Sequence, residues 1–157
     1  MYERLIKDKR IVYSSGSASS KEIDKYGIVR GIRTSIARAL WKHFSEGRFS
    51  LKVFDLWMKK HAKELTIVVD GKTDFHMRKL WGVTVEPIVD GDAKVPMISA
   101  ASIVAKVERD REMRKYHKKF PNYGFDQHKG YGTKGHYKAI KKWGMNTLHR
   151  KSFLSNI

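Results

Sequence analysis

Residues 65–69 read Leu-Thr-Ile-Val-Val and run straight into Asp70-Gly71. A continuous β-branched and apolar run stopped by an Asp-Gly breaker predicts a buried strand with a turn at its carboxyl end. No other segment constrains the fold as much, because its neighbours have helical spacing. Ile28, Ile32, Ile36, Ala39 and Leu40 predict a helix up to about Phe44, and Leu51–His61 predicts another. Beyond the strand, Val83-Thr84-Val85-Glu86-Pro87-Ile88 alternates like a second strand, and a long helix is predicted from about Met97 to Phe120. Strands alternating with helices predict an α/β fold.

The flanks extend this pattern. Tyr2, Leu5 and Ile6 share one helical face, and Ile11–Ala18 predicts a short strand running into a turn. Ser19-Ser20-Lys21-Glu22 fits a capping box, so a helix should start there. Pro121–Gly124 should end the long helix, and Gly130 and Gly132 mark a loop. Thr133 can cap a last helix that Gly144 ends. Three short strands beside four or five helices form a poor core, which predicts an incomplete sheet.

At 157 residues the chain suits one domain. Its 33 Lys and Arg outnumber 16 Asp and Glu, a formal net charge of +17. A compact body so charged repels itself unless a polyanion neutralises it, so nucleic acid is the expected partner. A ribosome-associated or merely solvated basic surface is the alternative. The region after Val107 is the most basic, with aromatic residues interleaved. With no cysteine, disulfides, thiolate metal sites and cysteine nucleophiles are excluded. The N-terminus lacks an apolar signal core, and the longest uncharged stretch, Val95–Ala105, is far below the ~20 residues that span a bilayer. The expected location is cytoplasmic, without membrane contact.

Asp70 stands at a strand's carboxyl end, where open α/β sheets place their active sites, although an ordinary Asp-Gly turn explains it as well. Asp92 follows the next strand, and spacing does not separate it from Asp90. Two acids after neighbouring strands could hold a hard cation such as Mg²⁺. Ser99 and Ser102 begin the long helix and could meet a phosphate there, whereas Ala100, Ala101 and Ala105 read as packing against the sheet. Lys106 on that helix needs a partner. His128-Lys129-Gly130-Tyr131-Gly132-Thr133 puts cations and a ring on a glycine-hinged loop, a pattern that suits phosphate and sugar or base contact, or a turn packed on the core. His149–Phe153 reads as a basic tail and the remaining histidines as surface residues. No Ser-His-Asp set, phosphate-cradling loop or zinc-spaced His pair stands out.

Gly91–Val107, Tyr123–Thr133, Ile67–Gly71 and His149–Phe153, taken in order, resemble ribonuclease HII over essentially the whole chain. The resemblance implies a ribonuclease H-like mixed α/β sheet with flanking helices and a helical C-terminal appendage. It divides residues 1–157 into a sheet core to about residue 96 and a substrate-binding helical region from about 97. It implies hydrolysis of the RNA strand of RNA–DNA hybrids and cutting 5′ of ribonucleotides embedded in DNA, leaving 3′-hydroxyl and 5′-phosphate ends. The implied cofactor is Mn²⁺ or Mg²⁺ in a two-metal site. Asp70 and Asp92 match two of four metal carboxylates, which selects Asp92 over Asp90. Tyr131 matches the tyrosine packed on the sugar at the RNA–DNA junction; His128, Lys129 and Gly130 share its loop, and Ser99 and Lys106 join them as expected substrate contacts.

The family's Asp-Glu-Ala-Gly-Arg-Gly segment does not occur here. It supplies the other two carboxylates and the backbone that reads the ribose 2′-hydroxyl. The expectation is therefore a chain missing the family's first three strands, with Met1 an internal methionine or the start of a truncated gene reading, poorly folded alone and weakly active or inactive. The full-length protein is expected to be a monomer. The alternative function is a non-catalytic basic module that binds RNA–DNA hybrid or structured RNA.

Overall fold

The computed structural model describes residues 1–45 and 47–154. Its helices are α1 (Tyr2–Lys7), α2 (Ser20–Tyr26), α3 (Ile28–Phe44), α4 (Leu51–His61), α5 (Met77–Trp81), α6 (Gly91–Lys94), α7 (Pro96–Lys119), α8 (Phe125–His128) and α9 (Lys134–Trp143). Strands β1 (Thr66–Asp70) and β2 (Thr84–Ile88) pair in parallel, with Ile67 opposite Val85 and Asp70 opposite Ile88. The fold is α/β and mostly helical.

Local chemistry sets the boundaries. Ser19 accepts from the Glu22 N–H while Glu22 accepts from the Ser19 N–H, so the predicted capping box forms. Pro96 occupies the first turn of α7, where a missing N–H costs nothing. Thr133 caps α9 through the His136 N–H, and Gly144 ends it at φ 78°, a left-handed value glycine adopts freely.

Ile11–Ala18 does not form the predicted strand. It lies along α3, held by side chains: Ser14 Oγ donates to the Ala39 carbonyl, Arg38 to that of Ser17 and Lys42 to that of Ser15. Gly16 is so close to α3 that a Cβ there would sit 2.0 Å from the Ser35 carbonyl oxygen. A segment pressed onto a helix in this way cannot also join a sheet. β1 is covered on one side only: Ile67 and Val69 pack on the core, but Val68 is 39% exposed.

Two buried clusters organise the molecule. The first joins Ala37 and Trp41 of α3, Phe54 and Met58 of α4, Met77 and Trp81 of α5, and Val83 and Val85 beside the sheet. The second joins Met113 of α7, Tyr123, Phe125 of α8 and Ile140 of α9. The tail is not loose: Asp24 of α2 accepts from the Lys151 and Ser152 N–H groups and the Ser152 hydroxyl, and Ser20 donates to the Thr147 carbonyl.

Candidate active site

The parallel pairing of β1 and β2 sends both carboxyl ends the same way. β1 ends in Asp70; β2 ends two residues before Asp90, which takes a left-handed conformation (φ 56°) and turns the chain into α6. The Gly91 N–H donates to Asp70 Oδ1 at 2.9 Å, which puts the Asp70 carboxylate against the backbone immediately before Asp92. A Cβ at Gly91 would stand 2.7 Å from Ile98 Cδ1, the movable end of that side chain, and 3.4 Å from Asp70 Oδ1. Asp70 and Asp92 are both exposed. Asp90 instead lies 3.7 Å from Lys94, so the loop gives the two acids different neighbours.

Hard oxygen donors of this kind fit Mg²⁺ or Mn²⁺, which take one or two protein carboxylates and complete their shell with water and phosphate. Among the described residues, no group of three or more acidic, His or Cys side chains is arranged to hold a metal ion. The pair thus fits a share of a divalent-ion site.

α7 connects this corner to the aromatic loop. Ser99 lies in its first turn, and Ser102, Lys106, Arg109 and Met113 follow at helical spacing on the same stripe. Lys106 is exposed, 3.9 Å from Asp110. Ala101 and Ala105 do not pack under the sheet as expected. They are exposed and border a cavity of about 710 Å³ between α7, α3 and the Ile11–Ser17 segment. Their small side chains leave that space open because α3 stands back from this part of α7.

Gly130 sits against Met113 and Arg109, which anchors the loop to α7. Arg109 is thirteen positions beyond Pro96, so this anchor is roughly 20 Å along the helix from its start. The acids and Tyr131 share no direct contact in the structure. Tyr131 is 67% exposed. Lys129 and Gly130 are both left-handed (φ 51° and 82°), and the Lys129 ammonium donates to the Asp126 carbonyl. His128 accepts from the Gly130 N–H at Nδ1 and lies 2.6 Å from the Tyr123 carbonyl at Nε2.

Two functional candidates escaped the sequence reading. His136, expected at the surface, and His149, expected in a basic tail, are only 6% and 8% exposed. Their ring nitrogens meet at 3.1 Å, and His136 also reaches the Tyr131 carbonyl at 2.9 Å. Burial pushes both imidazoles below the ordinary histidine value. A signal for His136 existed: it precedes Ile140 by one helical turn, opposite exposed Lys138 and Lys141, so it belongs to the apolar face of α9.

Paired carboxylates at the carboxyl ends of parallel strands, joined by one helix to a basic aromatic loop, define an α/β protein with a strand-end acid site. Residues 46–156 match the family model described as Ribonuclease HII. The Ribonuclease HII of Pelagibacter ubique is 39% identical over 96% of this chain and 70% of its own length. That of Clostridioides difficile is 38% identical over 98% of this chain, which spans only 52% of it, and that of Polynucleobacter asymbioticus is 38% identical with 69% of its length covered. A solved structure, the PCNA:RNase HII complex from Archaeoglobus fulgidus, aligns with TM-score 0.47 and 18% identity over 96% of this chain and 79% of that one. The chain belongs to the ribonuclease HII family of ribonuclease H-type endonucleases. Among the described residues, no helix is long and apolar enough to cross a membrane.

Proposed function

We propose that the chain acts on RNA joined to DNA, hydrolysing the RNA strand of hybrids and cutting 5′ of ribonucleotides embedded in a DNA duplex. One observation carries the reading: the hydrogen bond from the Gly91 N–H to Asp70 sets one family-matched carboxylate against the backbone next to the other, Asp92. Asp70 and Asp92 would hold Mn²⁺ or Mg²⁺, which when bound supplies charge neutralisation at the phosphate and a more acidic attacking water. The Ser99–Arg109 stripe of α7 would follow the nucleic-acid backbone, its cations neutralising phosphates. Tyr131, with its ring in solvent, would pack on the sugar at the RNA–DNA junction. His128 and Gly130 would hold that loop in shape. The division into a sheet part up to about residue 96 and a helical substrate-binding part after it follows this split of roles.

A second reading, a binding module that holds hybrid or structured RNA without cutting it, is favoured by the carboxylate count. Two acids serve two ions poorly, and among the described residues no group of three or more acidic, His or Cys side chains could hold a metal ion. A gel assay on a duplex with one ribonucleotide separates the readings. Under the first, Mn²⁺-dependent cutting occurs, and Asp70→Asn or Asp92→Asn lowers it at least about 100-fold, as removal of a transition-state contact does. Binding without cutting, unchanged in both variants, selects the module.

A further inference from the structure

We propose that His136 and His149 are positioning residues that hold Tyr131 through a fixed relay of neutral imidazoles, an inference that rests on the reading of Tyr131 as the sugar-packing ring.

The proton positions follow from the partners. The Asn146 N–H, which can only donate, points at His149 Nδ1 at 2.9 Å, so that nitrogen is bare and the ring proton sits on Nε2. The Tyr131 carbonyl, which can only accept, faces His136 Nδ1 at 2.9 Å, so that nitrogen carries the proton and His136 Nε2 is bare. The remaining pair then fits: His149 Nε2–H donates to His136 Nε2 across 3.1 Å. The chain Asn146 → His149 → His136 → Tyr131 has one satisfied arrangement, and both rings are neutral in it.

The surroundings lock this geometry. His128 stacks on His136 with centroids 4.2 Å apart and planes 17° apart. Phe125 meets His136 edge-on at 5.6 Å, and Tyr123 lies 5.2 Å from His149. The Tyr131 N–H donates to the His128 carbonyl at 2.9 Å, so both backbone polar groups of Tyr131 are held while the ring stays free. A loop with left-handed backbone at Lys129 and Gly130 keeps that shape only if its surroundings enforce it. A ring that must meet one sugar needs such a fixed base, because small misplacements at a recognition site are costly.

Side-chain geometry provides a discriminating pair of variants. The amide nitrogen of asparagine can stand where the histidine Nδ1 does, and the amide oxygen of glutamine can stand near Nε2 and accept there as Nε2 does. H136N therefore keeps the donor to Tyr131, and H136Q keeps only the group facing His149. In the full chain without divalent metal, amide exchange at residues 130–133 should rise at least tenfold in H136Q and less than threefold in H136N, with exchange in α4 unchanged in both. Equal rises in the two variants, or none in H136Q, overturn the proposal.

Fluorescence anisotropy then compares a duplex carrying one ribonucleotide with the all-DNA duplex. Y131A should lose the preference, H136Q should lose it to the same degree, and Y131A/H136Q should lose no more. Additive losses overturn the positioning role. A wild-type chain with the expected exchange pattern but no preference for the ribonucleotide overturns the functional reading and leaves the imidazole relay standing. If H136Q fails to fold, H149N supplies the same test one step back: it loses the Nε2–H donor to His136 and should loosen residues 130–133 while His136 remains.

Discussion

The two candidate recognition regions are built in opposite ways. At the sheet corner, Asp70 has one hydrogen bond and Asp92 has none among the described residues, and both face solvent. At the α8–α9 loop, polar side chains and backbone are interlinked: His128, His136, His149, Asn146 and Thr133 all hold backbone or one another. The contrast follows from what each region would bind. Carboxylates that await a cation gain from being open, because the ion supplies their missing partner. A ring that packs on a sugar brings no such partner and must be held by the protein itself.

The largest expected effect comes from removing the support of the held region. Phe125 is 1% exposed and lies against Tyr123, His136 and His149. Phe125→Ala should cost about 3–5 kcal/mol, as buried Phe truncations do. Urea denaturation followed by the signal of Trp143 should show the loss. A cost below about 1 kcal/mol would mean that the second cluster is not packed as described.

Next in size is a change in the open region. Gly91→Ala sets a methyl group 2.7 Å from the end of Ile98 and 3.4 Å from Asp70. Ile98 can yield, so the overpacking cost should be only about 1–3 kcal/mol. The functional effect should exceed the stability effect, because the Gly91 N–H orients Asp70. Calorimetric titration with Mn²⁺ should show weakened binding, whereas the exchange rates of residues 130–133 should stay as in the wild type.

Most of this architecture was legible in the sequence, for physical reasons that differ between regions. The capping box at Ser19 and Glu22, the Leu51–His61 helix, the Leu65–Val69 run and the Gly144 stop are local signals, and local hydrogen bonding decides them. Ile11–Ala18 misled because its β-branched start satisfies strand propensity, while Arg38 and Lys42 of α3 take the Ser17 and Ser15 carbonyls and Ser14 donates to the Ala39 carbonyl of α3. At the candidate site, Asp70 and Asp92 could be read from strand ends and from family motif positions. The imidazole relay could not, because it joins residues 131, 136, 146 and 149 through a packing arrangement that no short spacing encodes.

Acid should separate the regions as well. Burial holds His136 and His149 below the ordinary value of 6.5, so the unfolded chain takes up their protons first. Their contribution is therefore complete above pH 6.5 and is lost as pH falls from there through the folded values. Glu22 is held at about 2, against a usual 4.5, chiefly by the Arg38 guanidinium. Its contribution is complete above pH 4.5 and is lost only as pH falls toward 2. An NMR titration should show the signals of residues 123–149 changing first, while those of α2 and α3 hold until the carboxylate range. Simultaneous change would mean that the two regions unfold as one unit.

The smallest effect distinguishes two lysines that resemble each other in sequence. Lys106 is exposed, and its only close partner among the described residues is Asp110 at 3.9 Å; a surface pair of that kind contributes about 0–1 kcal/mol. Its ammonium is free to neutralise a phosphate. Lys129 is turned back on its own loop, donating to the Asp126 carbonyl. If Lys106 touches a phosphate, Lys106→Ala should flatten the slope of log affinity against log salt by about 0.9, since one fewer counterion is released, and leave the melting temperature unchanged. Lys129→Ala should change the slope less but speed amide exchange at residues 129–133, because it removes a tether. Anisotropy titrations between 50 and 200 mM salt, about the range over which counterion release is resolved, measure the first. A steeper loss of slope from Lys129→Ala than from Lys106→Ala would reverse the roles: the held loop would then carry the backbone contact, and the open stripe of α7 would not.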